Sequence, residues 1–358
     1  MSTGNNTGSS GTVTAHSYTA YRQDWLDRHV EEALDPDLPI IDTHHHLYER
    51  PRPLYLFEQL LADTRSGHNI VATVFVDCNS MYRTDGPEHL RCVGETEFAN
   101  GYAAMSASGV YGTIRMCAGI VSFGNLHLGA ALARETLEAQ VRAGNGRFRG
   151  VRQMSTWDPD PVVQPPLPTR PSGLLMDKTF RAGFAELAPL GLSFDSYLIH
   201  PQLVELIDLA RSFPETRIVL NHIGTPAAIG RFASKRAEVF KDWSASMCEL
   251  ARCHNVSVKI GGMGLRIMGF GLQEREEPPT SQDLASLWQP YVDSVIQTFG
   301  PDRCMFESNF PPDRGAYSYG VVWNAFKKLT AGYSAAERSQ LFAGTAARVY
   351  RLDVPGLG

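Results

Sequence analysis

Eight short runs rich in Val, Ile, Leu and Phe recur along the chain, at 39–46, 69–79, 111–121, 148–155, 192–198, 217–224, 256–262 and 303–311. Their length and β-branched content predict strands. Between most of them the apolar positions fall three or four apart, as at 87–109, 128–144, 177–191, 201–215 and 232–253, which predicts helices. This alternation implies right-handed βαβ crossovers and a parallel sheet, and eight units is the number that closes a (β/α)8 TIM barrel. A doubly wound open sheet is the structural competitor. It would carry a glycine-rich phosphate turn after its first strand, where this chain has His and Asp. Two further helices, at 319–329 and 334–352 with Gly344 interrupting the second, are expected to close the barrel. Residues 18–38 are expected to form a short helical extension on its outside.

Two connections, 155–176 after the fourth strand and 261–282 after the seventh, exceed the usual few-residue βα loop and are read as lids or pocket walls. Met263, Leu265, Ile267, Met268 and Phe270 would give the second an adaptable apolar surface. Residues 1–17 are rich in Gly, Ser, Thr and Asn and lack both a basic and an apolar block, so a disordered leader is expected there, followed by a single domain over 18–358.

Composition narrows the function classes. The 358 residues are 43% hydrophobic with a net charge of −5, enough for one large core. No stretch interleaves Lys or Arg with aromatics, which argues against nucleic acid as a partner, and no run reaches the ~18 apolar residues of a membrane span. Six cysteines without a C-x-x-C pair read as reduced core residues, with the cytoplasm as the default location. A small-molecule substrate is the expected partner, and homo-oligomerisation stays open.

In a parallel barrel the active site is built at the carboxyl ends of the strands. The first run ends in "DTHHH". Side chains alternate along a strand, so Asp42, His44 and His46 are expected on one face and Thr43 and His45 on the other, with His45 structural. Two inward imidazoles at i and i+2 can hold a divalent metal or polarise a carbonyl. His222 ends the sixth run and His200 follows the fifth, while the eighth run offers Glu307 and Asn309 on one face. Lys259 is a candidate partner for Glu307, and Asp313 lies just beyond in a loop. Arg83, Arg115 and Arg152 stand at or near strand ends, where a guanidinium fork can clamp a carboxylate.

Taken together, "DTHHHLYERP", "FRGVRQ", "LSFDSYLIHPQL", "RIVLNHIGTP" and "MFESNFPPDR" resemble the amidohydrolase superfamily, in the branch of 2-pyrone-4,6-dicarboxylate lactonase and L-fuconolactonase-like enzymes. The resemblance runs in order from about residue 38 to the C-terminus. It implies a hydrolase that opens a ring ester on a carbonyl polarised by His44, His46 and His222, with Glu307 and Asn309 completing the catalytic set. Arg152 matches a substrate-carboxylate arginine, and His200, Arg115 and Tyr48 are read as further substrate-binding residues. Where the family places Asp on strand eight this chain has Asn309, which cannot take a proton at neutral pH, so the base falls to Glu307, Asp313 or a histidine. No cofactor is expected to be required. The alternative is one zinc or manganese ion on His44, His46, His222 or His200, in a decarboxylase or hydratase; a barrel that has lost catalysis and only binds ligand is the non-enzyme alternative.

Overall fold

The computed structural model describes residues 21–49, 54–164 and 171–354. Eight strands, β1 (Ile40–His45), β2 (Ile70–Val76), β3 (Arg115–Ser122), β4 (Phe148–Arg152), β5 (Ser193–Ser196), β6 (Arg217–Leu220), β7 (Val256–Ile260) and β8 (Cys304–Phe306), pair in parallel in sequence order. The ring is completed between the first and last strands. Asn309 N donates to His44 O at 3.0 Å and His46 N to Phe310 O at 2.7 Å. The fold is the (β/α)8 barrel that the alternation of runs predicts.

Helices form where the apolar spacing places them, at Val93–Ala107, Ala130–Ala143, Lys178–Phe184, Leu203–Ser212 and Arg236–Leu250. Three more, Phe57–Thr64, Ser281–Phe299 and the expected Tyr319–Leu329, complete the outer layer. The second begins at a capping box of Thr280 and Asp283, which satisfies its free N–H groups, and it tolerates Pro290 within it. The extension before β1 is helical only over Gln23–Leu26, because Pro36 and Pro39 cannot continue a helix toward the strand. It clasps the β7 loop instead: Trp25 Nε1 donates to Glu276 O at 2.9 Å and Arg22 Nη2 to Gln273 O at 3.2 Å. The expected leader, 1–17, lies outside the described residues. Among those residues no helix is long and apolar enough to cross a membrane.

Gly344 does not break the C-terminal helix. Ala335–Ser339 runs through a π turn at Gln340–Gly344 into Thr345–Tyr350, so the glycine marks a widened turn. This helix plugs the amino end of the barrel, where Ala343, Ala346, Val349 and Tyr350 pack against Ile41, Val74, Val219 and Met305. The long β7 loop departs from the expected adaptable surface. Met263, Ile267 and Met268 are buried, because two short turns at Arg266–Met268 and Leu272–Glu274 fold the loop onto the barrel.

Candidate active site

The geometry starts with an irregularity in β1. Asp42 pairs with Thr73 and His45 with Phe75, so three steps along β1 oppose two along β2. Such a bulge reverses the parity of everything after it. Asp42 therefore does not share the face of His44 and His46. Its carboxylate accepts from Ser308 N (2.9 Å), Ser308 Oγ (2.6 Å) and Tyr319 OH (2.9 Å), and burial pushes its pKa up to about 6. His45 packs away from the cluster, with Nε2 2.9 Å from Thr73 Oγ1 and its ring against Phe75. Burial takes the His45 pKa down to about 3.

His44, His46, His222 and Glu307 converge on one mouth. Glu307 lies between two imidazoles, its Oε1 2.6 Å from His222 Nδ1 and its Oε2 2.9 Å from His44 Nδ1. The His222 contact is an aligned hydrogen bond, reinforced by His222 N donating to Oε1 at 3.1 Å. The His44 contact lies off the hydrogen-bond axis, so it is chiefly electrostatic. His46 Nδ1 donates to Val76 O at 2.8 Å, and the two inward nitrogens, His44 Nε2 and His46 Nε2, stand 3.2 Å apart. Burial first, and then the charges of Lys259 for His44 and Arg152 for His46, hold both pKa values well below the usual imidazole value. Both rings are neutral at pH 7. Tyr48 stacks on His46 with ring centroids 5.5 Å apart.

The backbone is specialised here. His222 and Ile223 take left-handed φ of 54° and 51°, and Asn309 takes 54°, conformations that non-glycine residues hold only when their surroundings enforce them. Gly261 and Gly262 make the room: a Cβ on Gly261 would lie 2.3 Å from Glu307 Cγ, and one on Gly262 2.3 Å from His222 Nδ1. Asn309 donates from Nδ2 to Asp313 Oδ1 at 2.9 Å, and Asp313 also accepts from Gly264 N (3.0 Å) and Tyr317 OH. Burial raises the Asp313 pKa to about 7 against these three donors.

Five residues singled out in the sequence are partnered or placed differently from expectation. The Arg152 fork is already engaged, Nε and Nη2 on Asp77 and Nη1 3.2 Å from His44 Nε2, so it is built into the cluster and is no free carboxylate clamp. Lys259 pairs with Asp195 at 2.8 Å, leaving Glu307 to the histidines. Arg115 opens β3, at the amino end and opposite the mouth, since the strand runs on to Ser122. His200 also stays out of the cluster. Its Nδ1 accepts from Ala227 N at 3.3 Å, its ring packs on Phe232, and it borders an outer groove of about 370 Å³. Burial takes its pKa down to about 4. Arg83 pairs with Glu97 on the surface. Asp77 was missed, although an acid closing the second apolar run, "VFVDCN", was its visible signal.

The fold and site define a parallel barrel with a histidine and carboxylate centre at the carboxyl ends of its strands. The chain belongs to the amidohydrolase family, whose model matches residues 41–352. It is 32% identical over 342 residues to the uncharacterised protein y4mH of Sinorhizobium fredii, covering 88% of this chain and 99% of that one. It is 29% identical to an L-fucono-1,5-lactonase of Burkholderia ambifaria over 223 residues, 60% of this chain and 64% of the relative. A solved amidohydrolase of Burkholderia multivorans with bound zinc superposes with a TM-score of 0.66 at 24% identity, covering 88% and 99% of the two chains, a likeness of fold.

Proposed function

We propose that this chain hydrolyses a small ring ester, a lactone, by adding water to its carbonyl. The observation that carries the reading is the Glu307 carboxylate bound to His222 Nδ1 on the same mouth as the His44 and His46 pair. A carboxylate on Nδ1 fixes the proton there and leaves Nε2 of His222 as the acceptor, the arrangement of a general base held by an orienting acid. His222 then takes a proton from water as the water oxygen bonds to the carbonyl carbon. The ring C–O bond breaks, and the same proton passes to the leaving oxygen, giving an open hydroxy acid. Arg152 sets positive charge beside His44 on the side where negative charge grows on the carbonyl oxygen. The lactonase relative supports a lactone over other esters.

The same residues fit a divalent ion. His46 Nδ1 is held by Val76 O, so its Nε2 turns a lone pair toward His44 Nε2, 3.2 Å away, a position that either a His44 N–H or a cation can satisfy. A tetrahedral zinc with bonds of 2.0–2.1 Å spaces its nitrogen ligands by roughly 3.3 Å, and Nδ1 donation to a carbonyl or carboxylate is the usual support for a metal-binding histidine. His44, His222 and Glu307 also offer ligand atoms within 4.8 Å of one another. This spacing favours the zinc or manganese alternative over the expectation of a metal-free site; such an ion would supply Lewis-acid polarisation of the carbonyl.

A panel of sugar and aromatic lactones, followed by proton release, tests the reaction; turnover of at least one and no release of carbon dioxide from aromatic carboxylates is expected. The reverse pattern would make the protein a decarboxylase. Elemental analysis of protein purified without added metal should find about one zinc or manganese per chain, with activity lost on chelation and regained on re-addition. Full activity in metal-free protein would return the site to unaided histidines.

A further inference from the structure

The opposite end of the barrel carries a cluster of arginines that the mouth does not use. Arg147 and Arg149 stand at the start of β4, Arg217 opens β6, and Arg351 ends the C-terminal helix that plugs the barrel. Strand register brings them to one rim: Gly150, next to Arg149, pairs with Ser193, and Ser193 pairs with Arg217. Arg217 and Arg351 reach the same carbonyl, Gly191 O.

None of the four pairs with a carboxylate among the described residues. Arg147 donates to Asn100 Oδ1, Arg149 weakly to Phe148 O at 3.5 Å, and the other two to Gly191 O. Glu215 and Asp353, their acidic neighbours in sequence, form no ion pair with them. Other surface arginines, Arg134, Arg181, Arg211 and Arg252 among them, hold an Asp or Glu, and those that do not, such as Arg65 and Arg303, rest on backbone carbonyls singly and not as a cluster. Arg149 Nε is buried without a hydrogen-bond partner. Burial and the charges of Arg351 and Arg147 press the Arg149 pKa down, and burial with Arg217 does the same to Arg351. Like charges gathered at a partly desolvated rim, in a chain of net charge −5, are an unfavourable arrangement until an anion joins them.

We propose that this rim is an oxyanion site, specific for a phosphate group and separate from the active site. Guanidinium forks match the several oxygens of a phosphoryl group, and several arginines converging on one point are the usual means of recognising it. The group can be free phosphate or the monoester of a larger molecule.

Calorimetric titration of the full chain at constant ionic strength tests this, with inorganic phosphate in one arm and a sugar phosphate in the other, against chloride and against the charge-matched surface variant Arg134→Gln/Arg252→Gln. Saturable phosphate binding is expected in the wild type and in Arg134→Gln/Arg252→Gln, weakened about tenfold or more in Arg217→Gln/Arg351→Gln, which removes two charge-assisted donors. Tighter binding of the sugar phosphate would mark a monoester as the ligand; equal binding would mark the free ion. The double variant should also melt at a higher temperature than wild type in chloride alone, because the mutual repulsion is gone, and should show less stabilisation by phosphate. No saturable binding to the wild type, equal affinity in the double variant, or equal effects of chloride and phosphate would overturn the proposal.

Discussion

Glu307, after β8, and Asp195, in β5, are both wholly buried carboxylates of the same barrel, but their partners differ in kind. Asp195 Oδ2 accepts from Lys259 Nζ at 2.8 Å, Tyr350 OH at 2.8 Å and Asn221 Nδ2 at 3.1 Å. One fixed cation balances its charge, and Tyr350 ties it to the plug at the amino end. Among the described residues Glu307 forms no ion pair with a lysine or arginine; beside the His222 backbone N–H it meets two imidazoles, whose protons can move. The lower network holds the barrel together; the upper one can do chemistry. Burial is equal in the two, so it is the titratability of the partners that separates structure from function.

Three changes bear on this contrast. The largest expected effect is Glu307→Gln, which keeps the shape of the side chain and removes its charge. The kcat should fall by about 10²- to 10⁴-fold with the fold retained, as expected when a base loses the group that orients it. Wild-type kcat with a lower melting temperature would place Glu307 beside Asp195 as a structural carboxylate.

Next is Lys259→Met, which leaves Asp195 buried without its cation. Breaking a buried pair from one side costs about 3–5 kcal/mol, to be read by urea unfolding, and kcat at a temperature where the variant is folded should change little. A collapse of kcat without loss of stability would bring Asp195 and Lys259 into the chemistry and erase the contrast.

The smallest effect is on pH dependence. The folded-state pKa of Asp313, about 7, stands above the ~3.9 of an unfolded Asp, so between those values the folded chain binds the extra proton. Its contribution to stability is full below about pH 4 and is lost as pH rises through 7. The buried histidines run the other way: with folded pKa values below the ordinary ~6.5, His44 and His46 destabilise the fold as pH falls through that value. Asp313→Asn should therefore remove a component that weakens the protein between pH 4 and 7, measured as unfolding free energy at pH 5 and at pH 7.5. An unchanged difference between the two pH values would show that Asp313 is ionised throughout.

Much of this was legible in the chain. The eight runs each became a strand, and His44, His46, His222 and Glu307 stand together at the mouth where strand-end logic placed them. Tyr48 lies against them and Asn309 beside Asp313. Arg115 and His200 went astray for a common reason: a residue within or after an apolar run reads as near a strand end, but which end, and which side of the following turn, depends on where the hydrogen-bonded ladder starts. The helix at Ser281–Phe299 hid behind the long loop before it and the proline within it.

The sequence by itself determined the repeating architecture, since hydrophobic period and β-branched content are properties of neighbouring residues. It also determined which residue types were available for the chemistry. The tertiary structure alone decided how those groups are partnered. The bulge that sends Asp42 to Ser308 and Tyr319, the capture of Arg152 by Asp77, the choice of His44 and His222 as partners for Glu307, and the arginines gathered at the far rim all join residues distant in the chain. Their distances are set by strand register and barrel closure, which no local pattern encodes.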